Sequence, residues 1–248
     1  MPKNKKDNLE KILEIKNSTS DSADLYFYGD IVSSSWGAWE QEDQYPLAIQ
    51  NFLKGQEGKN LNIYINSGGG SVFAGMAIYN MLKRHTGFKT VRVDGVAASI
   101  ASIIALAGDK IIIPANAFFM IHKPWGSVTG DANELREKAD LLDAIEETAL
   151  SIYKENLKNE DDLEVIKQMV QDETWLTGEE ATNYFNVEIS NSIEAVACVS
   201  EYFEGYSKVP KTILNGLKTQ NKGPKKINKI QNELELEKEK ILLELELI

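Results

Sequence analysis

Short apolar runs alternate with longer amphipathic segments over most of this chain. The runs rich in β-branched and aromatic residues are predicted strands near residues 25–28, 61–66, 89–94, 111–113 and 117–121. The segments in which apolar residues recur at helical spacing are predicted helices near residues 46–53, 72–83, 99–107 and 131–157. This alternation indicates an α/β fold of stacked parallel βαβ units, with the helices packed outside the sheet.

The two ends of the chain carry a different pattern. We predict a polar arm over residues 1–22 with one helix over 9–15, a single folded domain over 23–200, and a linker with a helical tail over 201–248. Within residues 231–248, apolar residues recur at the spacing of a coiled coil, but Leu and Glu also alternate as in an edge strand. Both interpretations stay open, and under either one the tail is an appended assembly segment.

The composition of the chain indicates one folded core, and its charge argues against one class of binding partner. The chain has 248 residues, of which 42% are hydrophobic, and this is enough for one substantial core without a second full domain. Its formal net charge of −11 argues against nucleic acid as a partner, because a nucleic-acid-binding surface has to neutralise phosphates. The one basic cluster of note, at residues 218–229, is interpreted as a solvated linker.

The numbers of cysteines and histidines and the lengths of the apolar runs indicate which cofactors and which cellular location to expect. The single cysteine, Cys198, excludes an internal disulfide framework and fits a reducing compartment. Two histidines far apart and one cysteine do not assemble a zinc site, so we expect no metal and no cofactor. The N-terminus lacks the apolar core of a secretory signal, and no apolar run is long enough to span a bilayer. We therefore expect a cytoplasmic protein without a membrane partner.

The main candidate for chemistry is a serine–histidine pair. A serine hydroxyl is a poor nucleophile at neutral pH and needs a neighbouring imidazole to accept its proton. The chain has two histidines, and His85 follows a predicted helix, where it is best interpreted as a cation near the helix C-terminus. His122, at the end of a short apolar run, is therefore the expected base.

Ser99 is the expected nucleophile because of its position between a strand and a helix. It follows a predicted tight turn of small residues at 95–98 and stands at the head of an apolar helix. The N-terminus of that helix would aim unpaired N–H groups at an anion that forms beside Ser99. The alternative is that Ser99 is the N-cap of this helix and nothing more.

Three consecutive glycines, Gly68 to Gly70, follow the predicted strand at 61–66. They allow positive φ angles and close backbone approach, as an oxyanion hole or a phosphate cradle requires. No Lys-Ser or Lys-Thr follows at the spacing of a phosphate loop, and the glycine register of a dinucleotide site is absent. The remaining interpretation is a turn that offers amide N–H groups to a tetrahedral intermediate.

Four ordered blocks of the chain resemble the signature blocks of the Clp protease (ClpP) family of serine peptidases. They read INSGGGSVFAGMAIYNML, GVAASIASIIALAG, MIHKPWG and ETWLTGEEATNYF, and they lie at similar spacing within residues 24–200. The resemblance implies a ClpP/crotonase-like spiral with an outer helical handle, and a serine endopeptidase that cleaves proteins or peptides. It also implies that Ser99 is the nucleophile and His122 the general base, with the backbone N–H groups of Gly70 and Ile100 as the oxyanion donors.

The same resemblance implies how substrate would bind. An extended peptide would pair main chain to main chain with two segments, as an added strand does. Backbone pairing of this kind tolerates many substrate sequences, because it does not depend on side chains. The implied substrate-binding residues are Ser71, Val72 and Phe73 on one side and Lys123, Pro124 and Trp125, followed by Gly126, on the other.

The third member of the triad is where the chain departs from the family pattern. The family usually has an Asp two residues before the aromatic residue of this block, and here that position, two before Trp175, is Glu173, preceded by Asp172. Either carboxylate could orient the imidazole and stabilise the imidazolium, and the register favours Glu173. The alternative is that both acids are a solvated segment before a helix that begins at Thr177 and closes a capping box with Glu180.

The resemblance also implies partners. The predicted helix at 131–157 corresponds to the family's handle, through which rings of subunits meet, so a homo-oligomeric ring of undetermined size is expected. The N-terminus lacks the pattern of a gating hairpin, and dependence on an AAA+ unfoldase is therefore not expected. Together with the tail and the ETWLT block, this is similar to the phage and prophage branch, whose members are often head-maturation proteases.

Two other classes of protein stay open. A catalytically silent ring or scaffold protein would keep the core and the tail but lose the triad, and the missing Asp favours it. A crotonase-type acyl-CoA enzyme would share the architecture and an oxyanion turn. It would use carboxylates for acid and base catalysis and would not need Ser99 beside His122.

Overall fold

The structure, a computed structural model, describes residues 18–35, 43–192, 198 and 200–213. Seven strands lie in these ranges: β1 (Ser22–Phe27), β2 (Asn60–Ser67), β3 (Lys89–Ala98), β4 (Lys110–Pro114), β5 (Phe118–Ile121), β6 (Thr174–Thr177) and β7 (Glu188–Ser190). The α-helices in these ranges are α1 (Pro46–Lys54), α2 (Val72–Arg84), α3 (Ile100–Ala105), α4 (Ala132–Glu155), α5 (Leu163–Gln171) and α6 (Gly178–Tyr184). Short 3₁₀ turns occupy Glu160–Asp162 and Glu201–Gly205.

The strands form one sheet in the order β1-β2-β3-β4-β7, in which every pair is parallel. The edge of β3 is shared, because its first half pairs with β4 and its second half pairs in parallel with β5. The predicted α/β class with a parallel sheet is therefore confirmed. Strand β6 runs antiparallel to β5, a pairing that the alternating pattern did not predict.

The end of β3 differs from the sequence prediction. We expected the strand to stop near residue 94 and a tight turn to occupy residues 95–98, but the strand continues to Ala98. Pairing with β5 explains the difference, since Val96, Ala97 and Ala98 align with successive residues of that strand. The small side chains fit a crowded, buried strand end, and the sharp change in direction is confined to Ser99.

Helices α1, α2 and α3 contribute buried residues to the same hydrophobic core as the central strands. Alternate residues of the central strands, such as Ile63, Ile65, Val91 and Val93, are fully buried in this core. Burial of this kind contributes about 25 cal/mol per Å² of apolar surface to the stability of the folded state. It therefore stabilises the strands whose carboxyl ends carry the site. Helix α2 approaches α3 closely at Gly75.

Helix α4 buries only its C-terminal turn in this chain. Asp131 begins the helix with a capping box that includes Glu134, so the predicted start at residue 131 is one residue early. The buried residues of the helix are Ile152 and Tyr153, whereas Leu135 and Leu141 are 46% and 40% exposed. The chain's own core thus covers the C-terminal half of the apolar face of α4, where Ala149 and Leu150 also pack, and leaves its N-terminal half, at Leu135, exposed.

The packed domain extends past the boundary predicted at residue 200. Phe203 and Tyr206 are buried in a small second cluster with Met120 and Cys198, and a linker starting at 201 does not describe this part of the chain. The helix predicted at 9–15, the basic cluster and the tail lie outside the described residues. Within the described residues, none of the helices combines the length and the apolar composition that a membrane-spanning segment needs.

Candidate active site

Ser99 stands at the junction of β3 and α3 in an unusual backbone conformation. Its φ of 55° and ψ of −125° turn the chain sharply, and its N–H donates a hydrogen bond to the carbonyl of Met120 in β5 at 3.0 Å. The side chain makes no capping hydrogen bond to α3, although Ser99 occupies the N-cap position. The hydroxyl is therefore not used as a helix cap, which argues against the purely structural interpretation of this serine.

The hydroxyl instead contacts the imidazole of His122. The Oγ of Ser99 lies 2.7 Å from Nε2 of His122. The two residues come together because β3 and β5 are neighbouring parallel strands with Ala98 aligned on Met120, so their carboxyl ends lie side by side. The pairing of two strands thus brings together residues that are far apart in the sequence.

The environment of His122 keeps its imidazole neutral at physiological pH. Burial lowers the pKa of His122 to about 4, and the negative charge of Glu173 opposes this shift only in part. A neutral imidazole can accept a proton from a hydroxyl, which an imidazolium cannot. The ring is further covered by Tyr206, whose ring centroid lies 5.0 Å away in an edge-on arrangement.

The backbone of the glycine turn is held against Ile31 on both sides of Gly70. The carbonyl of Gly69 accepts a hydrogen bond from the N–H of Ile31 at 2.8 Å, and the N–H of Ser71 donates to the carbonyl of Ile31 at 2.7 Å. Because successive residues of an extended chain point to opposite sides, the N–H of Gly70 faces away from Ile31. A Cβ at Gly70 would lie 2.1 Å from the Ile31 carbonyl oxygen, and its φ of 141° also requires glycine.

The second predicted oxyanion donor is the N–H of Ile100. Ile100 is the first residue of α3, and the first N–H groups of a helix have no partner within the helix. The side chain of Ile100 is buried against α2, where a Cβ at Gly75 would lie 2.1 Å from its Cγ1. Close packing of the two helices thus fixes the backbone beside Ser99.

The two candidate acids have different surroundings, and neither is in hydrogen-bond contact with His122 among the described residues. Glu173 has a φ of 51°, and its carboxylate accepts hydrogen bonds from Ser207, Lys208 and Trp175 at 2.7–3.3 Å. Burial alone would raise the pKa of this carboxyl, but the hydrogen bonds outweigh it and hold the pKa below the ordinary value. Asp172 binds the side-chain amide of Gln168 at 3.0 Å on an exposed face.

The capping box predicted for the following helix is present. Thr177 and Glu180 bond each other's backbone N–H groups at the start of α6. Upstream of that box, Glu173 belongs to the surroundings of His122, because its charge acts on the imidazole. The interpretation of both acids as a solvated segment therefore fits Asp172 but not Glu173.

The predicted substrate-binding residues lie on two segments, one that follows the glycine turn and one that follows His122. Ser71 is the N-cap of α2, and Val72 and Phe73 form the first turn of that helix, so only Ser71 keeps an extended backbone on this side. On the other side, Lys123, Pro124 and Trp125 follow His122 without regular secondary structure. Trp125 is 56% exposed, and its indole faces Gly205.

A segment after residue 200 that was not predicted to be part of the site contacts Ser99 and His122 through Tyr206. The hydroxyl of Tyr206 donates a hydrogen bond to the carbonyl of Gly68 at 2.6 Å and also interacts with the Ser99 side chain. The stretch EYFEGYSK carries three aromatic residues in otherwise polar surroundings. These aromatic residues could have predicted that the segment packs against the domain.

Two further residues were missed because each lies in a helix without an obvious motif. Ser102 and Tyr153 are buried next to each other behind Ser99, and their hydroxyl oxygens are 2.9 Å apart. Neither a serine within an apolar helix nor a tyrosine in an amphipathic one indicates a functional role by spacing alone.

The remaining candidate groups have other surroundings. His85 is the C-cap of α2, as predicted, and its Nε2 lies 2.7 Å from the carbonyl of Lys59. Cys198 is buried, which raises the pKa of its thiol to about 12 and disfavours the nucleophilic thiolate. Among the described residues, no three His, Cys, Asp or Glu side chains are grouped so that they could hold a metal ion.

Comparison with known proteins gives consistent similarities. A family model described as Clp protease matches residues 47–187. The chain is 33% identical over 137 residues to an ATP-dependent Clp protease proteolytic subunit of Ligilactobacillus salivarius (strain UCC118), covering 54% of this chain and 68% of the relative. It is 29% identical over 130 residues to the subunit of that name from Bacteroides thetaiotaomicron, covering 51% and 58%.

A third relative gives a similar picture. The chain is 33% identical over 132 residues to ATP-dependent Clp protease proteolytic subunit 1 of Chlamydia abortus, covering 51% of this chain and 67% of the relative. The chain thus spans 58–68% of the length of these relatives. The range matched by the family model contains Ser99, His122, Asp172 and Glu173.

Proposed function

Because this chain belongs to the Clp protease family, we propose that it is a serine endopeptidase that cleaves proteins or peptides through Ser99, His122 and Glu173. The observation that carries the proposal is the 2.7 Å contact between the Ser99 hydroxyl and Nε2 of His122, a half-buried residue whose imidazole is neutral. An N-cap serine would use its hydroxyl on the helix, and Ser99 does not. A crotonase-type enzyme would not need this contact, which therefore favours the peptidase.

The proposed reaction begins with proton transfer from Ser99 to His122. As the Oγ bonds to the carbonyl carbon of the substrate, Nε2 accepts the hydroxyl proton and the carbonyl oxygen becomes an oxyanion. The N–H groups of Gly70 and Ile100 would stabilise this oxyanion. The imidazolium then protonates the leaving amine, the C–N bond breaks, and an acyl-enzyme remains, which water hydrolyses by the same steps.

Glu173 is the proposed acid of the triad. Its negative charge favours the imidazolium that forms during proton transfer, and the effect of that charge on the pKa of His122 supports the assignment. Asp172 exerts no such effect, and its carboxylate binds Gln168 instead. The carboxylate of Glu173 also binds Ser207 and Lys208, so we propose that it acts on His122 through space in this conformation.

Substrate is proposed to bind along the two segments that flank the pair. Ser71 offers an extended backbone, and the first turn of α2 at Val72 and Phe73 offers N–H groups that have no partner within the helix. Lys123, Pro124 and Trp125 would form the opposite side. The exposed rings of Phe73 and Trp125 would then contact substrate side chains.

A homo-oligomeric ring is the proposed assembly. The apolar side chains that α4 leaves uncovered in a single chain, among them Leu135, would be buried by a neighbouring subunit. Activity without an AAA+ unfoldase, membership of the phage or prophage branch and a role in head maturation are proposed from the lysine-rich N-terminal sequence, the tail and the ETWLT block. Cleavage of a capsid precursor without ATP would support that role, and no cleavage of it would exclude it.

The test of the catalytic proposal compares the full-length protein with its Ser99→Ala variant. The wild-type protein is expected to cleave a fluorogenic peptide, and Ser99→Ala is expected to lower kcat by roughly 10⁴- to 10⁶-fold because the triad acts as one unit. A catalytically silent ring protein would cleave nothing in either form. Equal cleavage by both forms would place the activity elsewhere and contradict the proposal.

A further inference from the structure

Two buried hydroxyl groups form a chain behind the candidate nucleophile. The Oγ of Ser102 lies 2.6 Å from the carbonyl oxygen of Ser99, and the hydroxyl of Tyr153 lies 2.9 Å from that same Oγ. Ser102 belongs to α3, while Tyr153 belongs to the last turns of α4. Both side chains are removed from solvent, so these bonds do not compete with water.

The direction of both hydrogen bonds follows from the number of protons available. A carbonyl oxygen can only accept, so the single proton of the Ser102 hydroxyl is donated to Ser99. The Oγ of Ser102 is then left as an acceptor, and Tyr153 must donate to it. The chain therefore runs from the Tyr153 hydroxyl to the Ser102 hydroxyl to the Ser99 carbonyl.

The Ser99 carbonyl is held from two directions. It accepts a hydrogen bond from the N–H of Ser102 at 2.9 Å in addition to the bond from the Ser102 hydroxyl. That carbonyl and the N–H of Ile100 belong to the same peptide group, which is planar and trans, so they point in opposite directions. Any contact that fixes the carbonyl also fixes the direction of the Ile100 N–H.

The backbone at Ser99 needs such a restraint. A residue other than glycine at φ 55° and ψ −125° is in a sparsely populated conformation, which the surrounding structure has to hold in place. Rotation of the peptide group between Ser99 and Ile100 would relieve this strain. The same rotation would turn the Ile100 N–H away from the hydroxyl side of Ser99.

We propose that Ser102 and Tyr153 are positioning residues that lock the peptide group between Ser99 and Ile100, so that the Ile100 N–H stays aimed at the oxyanion. This inference rests on the proposed peptidase function. Neither residue touches the substrate, and both act through the Ser99 carbonyl. Tyr153 also connects the packing of α4 to the geometry of the oxyanion hole.

The test uses Ser102→Ala and Tyr153→Phe, each of which removes one hydroxyl and keeps the packing. Matched controls are Ser151→Ala, which removes a serine that bonds a carbonyl three residues back in α4 at 2.8 Å, and Tyr184→Phe, which alters a half-buried tyrosine in α6. For each full-length variant, kcat and KM for a fluorogenic peptide and the inhibition constant of a peptide boronate are measured. The boronate forms a tetrahedral adduct with the serine and so reports on the oxyanion hole.

Loss of orientation of one oxyanion donor is expected to lower kcat by about 10- to 100-fold in Ser102→Ala, below the roughly 10²- to 10³-fold loss seen when a donor is removed. KM should stay near the wild-type value, and the inhibition constant of the boronate should rise by the factor by which kcat/KM falls. Tyr153→Phe should show a smaller loss of the same kind. The double variant should be no worse than Ser102→Ala, because the two hydroxyls act in series.

Three results would overturn the inference. The first is a wild-type kcat and boronate affinity in Ser102→Ala, or in Tyr153→Phe if Ser102→Ala does not fold. The second is losses that multiply in the double variant or that also appear in Ser151→Ala and Tyr184→Phe. The third is a wild-type protein that neither cleaves the peptide nor binds the boronate. This third result would overturn the proposed peptidase function as well. The first two results would overturn only the positioning role of Ser102 and Tyr153.

Discussion

Among single residues, Ser99 and His122 are the pair on which the proposed activity depends. Because burial lowers the pKa of His122, the pH dependence of kcat/KM tests the role of this pair. In the proposed mechanism the neutral imidazole is the active form, and burial lowers its pKa to about 4. We therefore expect kcat/KM to stay constant from about pH 8 down to about pH 5 and to fall as His122 takes up a proton near pH 4. A fall centred near the ordinary histidine pKa, about 6.5, would show a solvated ring and contradict the described environment.

Tyr206 gives this prediction a matched variant. Its ring covers His122, so Tyr206→Ala should let water reach the imidazole and raise its pKa toward the ordinary value. The acid limb of the pH profile is then expected to move to higher pH than in the wild-type protein. An unchanged limb would mean that other side chains bury the ring.

The two neighbouring acids allow a paired test of the third triad member. Glu173→Gln should lower kcat by roughly fivefold, as expected for the loss of about 1 kcal/mol of attraction to the imidazolium through space. Asp172→Asn should leave kcat unchanged, because Asp172 binds Gln168 on an exposed face. Kinetics of the two variants at neutral pH distinguish the acids, and the reverse order of losses would transfer the role to Asp172.

At the scale of secondary-structure elements, the contact between α2 and α3 sets the position of Ile100. Gly75→Ala would place a Cβ 2.1 Å from Cγ1 of Ile100 and force the two helices apart. We expect a loss of about 1–3 kcal/mol in the free energy of unfolding, typical of an overpacked core, together with a lower kcat. Denaturant unfolding measures the first quantity and peptide cleavage the second.

Gly55 provides the control for that substitution. It closes α1 at an ordinary φ of −89°, and an added Cβ would meet only the Phe52 carbonyl oxygen at 3.6 Å. Gly55→Ala should therefore leave both stability and kcat near the wild-type values. A stability loss at Gly55 equal to that at Gly75 would argue against specific contact between α2 and α3.

The features predicted correctly from the sequence depend on residues that are close together along the chain, and the features that were missed depend on contacts between distant segments. Apolar periodicity predicted the parallel strands and the helices, and the order of motifs predicted that Ser99 and His122 would meet. The extension of β3 to Ala98 was missed because it depends on β5, which pairs with it from 20 or so residues away. The partners of Glu173 were missed for the same reason, since Ser207 and Lys208 lie beyond the recognisable motifs.

For the whole molecule, we predict that the exposed apolar side chains of helix α4 form the contact between subunits of a ring. Leu135→Glu would place a charge on the exposed apolar face of α4 and should shift the protein from rings to smaller species. Ala144→Glu puts the same charge on the opposite, exposed side of the helix and should leave the ring intact. Light scattering coupled to size-exclusion chromatography measures both masses, and equal masses would exclude this face as the subunit contact.

The most direct test of the central claim is labelling of the full-length protein with a fluorophosphonate, with the modified residue identified by mass spectrometry. We expect one adduct, on Ser99, in the wild-type protein at neutral pH. We expect no adduct in Ser99→Ala and a labelling rate lower by orders of magnitude in His122→Ala, because the hydroxyl then has no base. An unlabelled wild-type protein, or an adduct on another serine that persists in Ser99→Ala, would exclude Ser99 as the activated nucleophile.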